Sequence, residues 1–183
     1  MFVFLLIILK CNLWTISKYL PSNRFQFELI NPDLNKESYR DTYPFAPSNY
    51  DMDYLFASVM LSNPLFWMEM QFLSSERRSQ LIPLIKVWKE HRQALAKADV
   101  MPIWEIPSGR SNTGFYISAN GNPEYLLLFR EANDSEIAKF TLPVDKADAK
   151  ILYSNADVSV NIENGVAIAK FSKPRSYAFV KLG

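Results

Sequence analysis

Two Asn-Gly pairs, Asn120-Gly121 and Asn164-Gly165, constrain this chain more than any other feature. A type I′ hairpin needs positive φ at both central positions, and Asn-Gly tolerates that backbone best. Around the first pair, residues 113–118 (TGFYIS) and 123–130 (PEYLLLFR) read as strands. Around the second, Val158, Val160 and Ile162 alternate up to the turn, and Val166 and Ile168 alternate away from it. Residues 136–142 and 149–154 read as further strands, and 177–182, beyond Pro174, as the last. Short strands at a spacing of about 8–12 residues, with turn signals between them, predict an antiparallel sandwich.

The part before residue 100 has a different chemistry. All five glycines (Gly109, Gly114, Gly121, Gly165 and Gly183) follow that point, while Trp14, Trp67 and Trp88, three of the four tryptophans, precede it. Residues 12–20 predict a short helix stopped by Pro21. Residues 24–30 alternate, with Phe25, Phe27 and Leu29 opposed to Gln26 and Glu28, which is the period of a strand. A long loop follows, with Pro32, Pro44, Pro47, Tyr39, Tyr43 and Tyr50; loops of about 20 residues are uncommon in compact domains unless they are functional. Residues 54–62 (YLFASVMLS) form a continuous apolar run suited to a strand buried on both faces. Ser74 or Ser75 can cap a helix carrying Leu81, Leu84, Ile85, Trp88 and Leu95 at helical spacing, with Pro83 as a kink or as its true first turn. Strand, loop, buried strand and amphipathic helix predict the last units of a β/α barrel.

The fold class expected is therefore α+β, a partial (β/α) barrel followed by an all-β antiparallel sandwich. Residues 1–11 form an apolar segment of their own, 12–98 the barrel part and 99–183 the sandwich. The apolar run 2–9 is too short for a bilayer, which takes about 20 residues. It also lacks the basic leader and small-residue cleavage site of a signal peptide. It reads first as a buried strand or as an internal start within a longer gene, with a targeting segment as the lesser alternative.

A single cysteine, Cys11, allows no intrachain disulfide and no thiolate metal cluster. A single histidine, His91, removes most zinc sites and Ser-His-Asp arrangements. Twenty basic residues stand against 19 acidic ones, so no excess of cations marks a nucleic-acid surface, and the same balance does not favour an anionic membrane. Carboxylates, tyrosines and hydroxyls remain as the chemical repertoire.

The order of NLWTISKYLP, RFQFELINPDLN, YDMDYLFASVMLSNPLFWMEMQFLSSE, WKEHRQAL, MPIWEIPSGRSNTGFYI and EYLLLFRE resembles the tail of melibiase-like glycoside hydrolases of the α-galactosidase type. The resemblance covers residues from about 12 to 183 and implies a (β/α)₈ catalytic barrel followed by a C-terminal β-domain. It implies a retaining mechanism with two aspartates, which in the family sit on barrel strands before the matched region. No segment here resembles those aspartate motifs, so the expectation is a chain with no catalytic residue, no metal and no cofactor, inactive alone. Its partners would be a carbohydrate substrate and the remainder of the barrel. A periplasmic or secreted location fits such an enzyme, and a cytoplasmic one is left open. The alternatives are a non-catalytic carbohydrate-binding or structural β-module and an interaction or membrane-anchored module using the apolar N-terminus.

Barrel enzymes bind substrate at the C-terminal ends of their strands. Glu28, Asn31 and Asn35, at and after the end of the strand 24–30, are the expected sugar contacts; the competing role is a Glu28 pair with Arg24 or Arg40, and a strand-end cap for Asn31. Asp51 and Asp53 point the same way only if their stretch is extended, and Asp is also common in turns. Trp67, Tyr39, Tyr43 and Tyr50 could stack on sugars or pack between the two parts. Glu69 and His91 read as structural, and Ser108-Gly109-Arg110-Ser111 lacks the lysine and spacing of a phosphate loop.

Overall fold

The computed structural model describes residues 5–34, 43–67, 69–145 and 147–183. Its first element is helix α1 (Leu5–Ile16), which takes in most of the apolar run read as a strand and ends before Pro21. Leu6, Lys10, Leu13 and Trp14 are buried, and their spacing is that of one helical face. The strand β1 (Gln26–Glu28) then leads through the long loop to helix α2 (Met52–Ala57). Every residue of α2 is buried, so the run has no polar face to reveal its period; a continuous apolar stretch is helix or strand by surroundings alone. The strand expected over 54–62 is thus a helix followed by turns.

β2 (Asn63–Leu65) comes next and pairs in parallel with β1, with Gln26 opposite Asn63 and Glu28 opposite Leu65. Helix α3 (Ser75–Leu95) starts where Ser74 accepts the backbone N–H of Arg77 at 3.2 Å, an N-cap, and it runs through Pro83 without a break.

The remaining strands are antiparallel. β3 (Asp99–Trp104), β4 (Asn112–Ala119), β5 (Asn122–Arg130), β10 (Ser176–Leu182) and β7 (Ala149–Ser154) form a five-stranded sheet in that spatial order. β6 (Ile137–Thr141), β9 (Val166–Phe171) and β8 (Val158–Glu163) form a three-stranded sheet. Both expected hairpins are present: φ is 52° and 82° at Asn120 and Gly121, and 52° and 71° at Asn164 and Gly165.

Two apolar cores flank the five-stranded sheet. On one side Tyr125, Leu127, Phe129, Tyr177 and Phe179 pack with Leu13, Leu55, Phe56 and Leu84 of the helices. On the other, Leu126, Leu128, Ala178 and Val180 pack with Phe140, Ala167, Ala169 and Phe171 of the three-stranded sheet. The fold is α+β, with helices, five-stranded sheet and three-stranded sheet as successive layers. Leu13, Leu29, Ile30, Leu55, Phe56 and Met60 thus share one core with the face of the five-stranded sheet that carries Leu127, Phe129 and Phe179.

β3 carries one backbone outlier. Trp104, its last residue, has φ 75°, in a region costly for a bulky side chain at about 1–3 kcal/mol. Val100 faces the helical core, and Ile103 the opposite one. Regular alternation would return Trp104 to the helical side. The left-handed turn instead sets its indole beside Ile103's face, 5.5 Å from the ring of Phe140.

Candidate functional site

The carboxyl ends of the parallel pair are where sequence places the sugar contacts. Leu29 N–H donates to the Leu65 carbonyl at 2.9 Å, so the pairing continues just past β1. Glu28, half-buried, is the last residue of β1. Asn31 follows at the strand's exit and is buried; its side-chain oxygen accepts Asp33 N–H at 3.0 Å and its amide donates to the Glu69 carbonyl at 3.4 Å. That ties the loop after β1 to the loop after β2, where Glu69 itself has left-handed φ (47°). Trp67 in that second loop is 75% exposed, and its neighbour in sequence Phe66 and, further on, Phe72 are also exposed. At the carboxyl end of the parallel pair there are thus an exposed aromatic ring, a half-buried carboxylate and an amide whose oxygen and nitrogen are both bonded within the protein. Asn35 and Tyr39 lie outside the described residues.

Asp51 and Asp53 belong to a different place. Asp51 is the residue before α2 and Asp53 lies in its first turn, so they do not precede a strand. Asp53 is buried, accepting Tyr54 N–H at 2.8 Å and the Tyr177 hydroxyl at 3.2 Å. Burial first, and the neighbouring Asp51 charge second, push its carboxyl up to about 6. Asp51 is more open and accepts Asn155 Nδ2 at 3.3 Å and Lys173 Nζ at 3.5 Å. These bonds join α2 to β7 and β10, a structural seam.

Sequence reasoning passed over the buried pair Lys10 and Glu131, 2.8 Å apart. Lys10 also donates to the Tyr54 hydroxyl at 3.1 Å and lies 4.2 Å from the Phe129 ring centroid. The other carboxylate oxygen of Glu131 accepts the backbone N–H groups of Ser108 and Ser111 at 3.0 and 2.9 Å. The loop Ser108-Gly109-Arg110-Ser111 therefore cradles an anion of the protein's own. Burial pushes Lys10 down, with Glu131 acting against it. Burial acts to raise Glu131, but the Lys10 charge and these hydrogen bonds outweigh it and hold its carboxyl below the usual range. The signal was a lysine on the buried face of an apolar helix, legible only once 5–16 is known to be helical.

Tyr50 is buried against Tyr54, 5.2 Å between ring centroids, and Tyr43 packs on Phe45 at 6.0 Å. His91 on α3 sits 3.3 Å from the Tyr125 hydroxyl. Among the described residues no three His, Cys, Asp or Glu side chains are grouped to hold a metal, and no helix is long and apolar enough to cross a membrane.

Protein-family models, curated proteins and solved structures offer no match to this chain.

Proposed function

We propose that this chain is the C-terminal part of a glycoside hydrolase of the melibiase-like, α-galactosidase type. In this reading β1 and β2 are neighbouring strands of a (β/α)₈ barrel, and the two antiparallel sheets form its C-terminal sandwich. The observation that carries the reading is the parallel pair itself: strand, helix, parallel strand and helix follow in sequence, and both outer edges of β1 and β2 are unpaired among the described residues. Parallel strands occur almost only in larger sheets covered on both faces, and two strands of three residues do not sustain a sheet alone. Further barrel strands on those edges complete it.

The retaining chemistry needs two carboxyl groups about 5–5.5 Å apart across the scissile bond. The resemblance assigns them to barrel strands other than β1 and β2, so this chain supplies binding rather than bond cleavage. Glu28 accepts sugar hydroxyls, Asn31 holds the two loops in register, and Trp67 stacks on the apolar face of the ring.

Saturation-transfer NMR with methyl α-galactoside tests this. We expect weak binding, with Kd near about 1 mM (about −4 kcal/mol), lost in Trp67→Ala and weakened in Glu28→Gln. We also expect no release of nitrophenol from its α-galactoside by the chain alone. Transfer that is absent, or unchanged in Trp67→Ala, would overturn the placement of the sugar.

A further inference from the structure

We propose that the groove between the end of β3 and the start of β6 binds an acidic saccharide, independently of the parallel pair. The groove has a volume of about 620 Å³ and is lined by Trp104, Glu105, Arg110, Asn112, Asn133 and Lys139. None of these belongs to β1, β2 or the loops after them.

Three observations converge. The first is Trp104, half-buried and held in left-handed backbone geometry that turns its indole from the helical side to the groove. Phe140 supports the ring from beneath at 5.5 Å between centroids, with the planes tilted by 43°. Backbone strain that a fold retains around an aromatic residue points to a use for that ring. A supported and partly open indole is a platform for the C–H face of a pyranose.

The second is a preset amide. Asn112 is only 8% exposed; its Oδ1 accepts from Asn133 Nδ2 at 3.1 Å, and Asn133 Nδ2 also donates to the Arg110 carbonyl at 3.0 Å. The oxygen being fixed, Asn112 presents its Nδ2, which donates to no described protein atom. Glu105 is held at the same place by accepting Asn112 N–H on Oε2 at 3.1 Å, leaving Oε1 for a hydroxyl.

The third is charge. Arg110 and Lys139 are exposed on the groove without an ion-pair partner among the described residues, against the single carboxylate of Glu105. A planar guanidinium matches a carboxylate in fork geometry. Ring stacking, hydroxyl contacts and two cations together describe a sugar that carries a carboxylate, a uronate.

Calorimetric titration of the full chain with a galacturonate trisaccharide tests the proposal, the neutral galactose trisaccharide serving as comparison. We expect binding that weakens as salt rises, and at least about tenfold weaker binding of the neutral sugar. Trp104→Gly removes the ring while relaxing the left-handed backbone, which offsets part of the packing lost on Phe140, and the folded variant should show no binding. Lys139→Ala, at an exposed strand position, should weaken it several-fold. No heat with the uronate, equal affinity for the neutral sugar, or unchanged affinity in folded Trp104→Gly would each overturn the proposal.

Discussion

Replacing Asp53 by Asn should stabilise the protein at neutral pH and leave it unchanged in acid. The carboxyl is 4% exposed, its two oxygens accept from Tyr54 N–H and the Tyr177 hydroxyl, and Asp51 lies close by. Burial and that second negative charge raise it from an ordinary 3.8 to about 6. A carboxyl raised on folding binds its proton more tightly in the native state, so its contribution is full below about pH 3.8. It is lost as pH climbs through about 6, because stability falls wherever the native state holds more protons than the unfolded one. The interval corresponds to about 3 kcal/mol at most. Asparagine keeps both bonds: its oxygen takes the Tyr54 N–H and its amide donates to the Tyr177 hydroxyl, which can accept as well as donate. Urea denaturation of both proteins at pH 3.5 and pH 8 is the assay. The expected result is near equality at pH 3.5, where the carboxyl is protonated in the folded and largely in the unfolded chain, and a gain of about 1–3 kcal/mol for the variant at pH 8. A variant destabilised equally at both values, or no divergence between them, would refute the argument that charge burial is the cost at this seam.

Lys10→Met should lower stability by about 3–5 kcal/mol, since it strands the buried Glu131 carboxylate; a loss below about 1 kcal/mol in urea titration would show that the two backbone N–H bonds suffice. Pro83→Ala restores a donor to the exposed interior of α3 and should raise stability by about 2 kcal/mol, after allowing for the looser unfolded chain. An unchanged denaturation midpoint would mean that the helix already absorbs the ring.

Strand signals served well where one short turn set the register. The pairs Asn120-Gly121 and Asn164-Gly165 placed β4, β5, β8 and the start of β9 within a residue or so, because their φ demand is local and no tertiary contact is needed to state it. α2 failed for the opposite reason: it is enclosed by α3 and the five-stranded sheet, and what surrounds a segment is not written in it. α1 starts inside the apolar run 2–9, and the one polar residue on its buried face among those described, Lys10, finds its counter-charge in Glu131, 121 residues away. At the candidate sites, Glu28 and Asn31 were placed by strand order alone. Trp104 was invisible, since its role depends on a backbone angle that tryptophan rarely takes.

The sequence of β5 held one more clue. Tyr125, Leu126, Leu127, Leu128 and Phe129 are consecutive and all buried, and so are Tyr177, Ala178, Phe179 and Val180 of β10. A strand with one wet face alternates apolar with polar; a strand between two cores cannot. Tyr125, Leu127 and Phe129 face the helices, while Leu126 and Leu128 face the three-stranded sheet. Two such neighbouring runs require a cover on each side of their sheet, and among the described residues the helices and loops before residue 99 supply the second. The helical layer is thus part of what allows these strands to be so apolar. Stripping it away would open the Tyr54, Phe129 and Tyr177 aromatic cluster, whose ring centroids lie 5.4–6.1 Å apart. The composition shift near residue 100 marks a change of secondary structure, and the core runs across it.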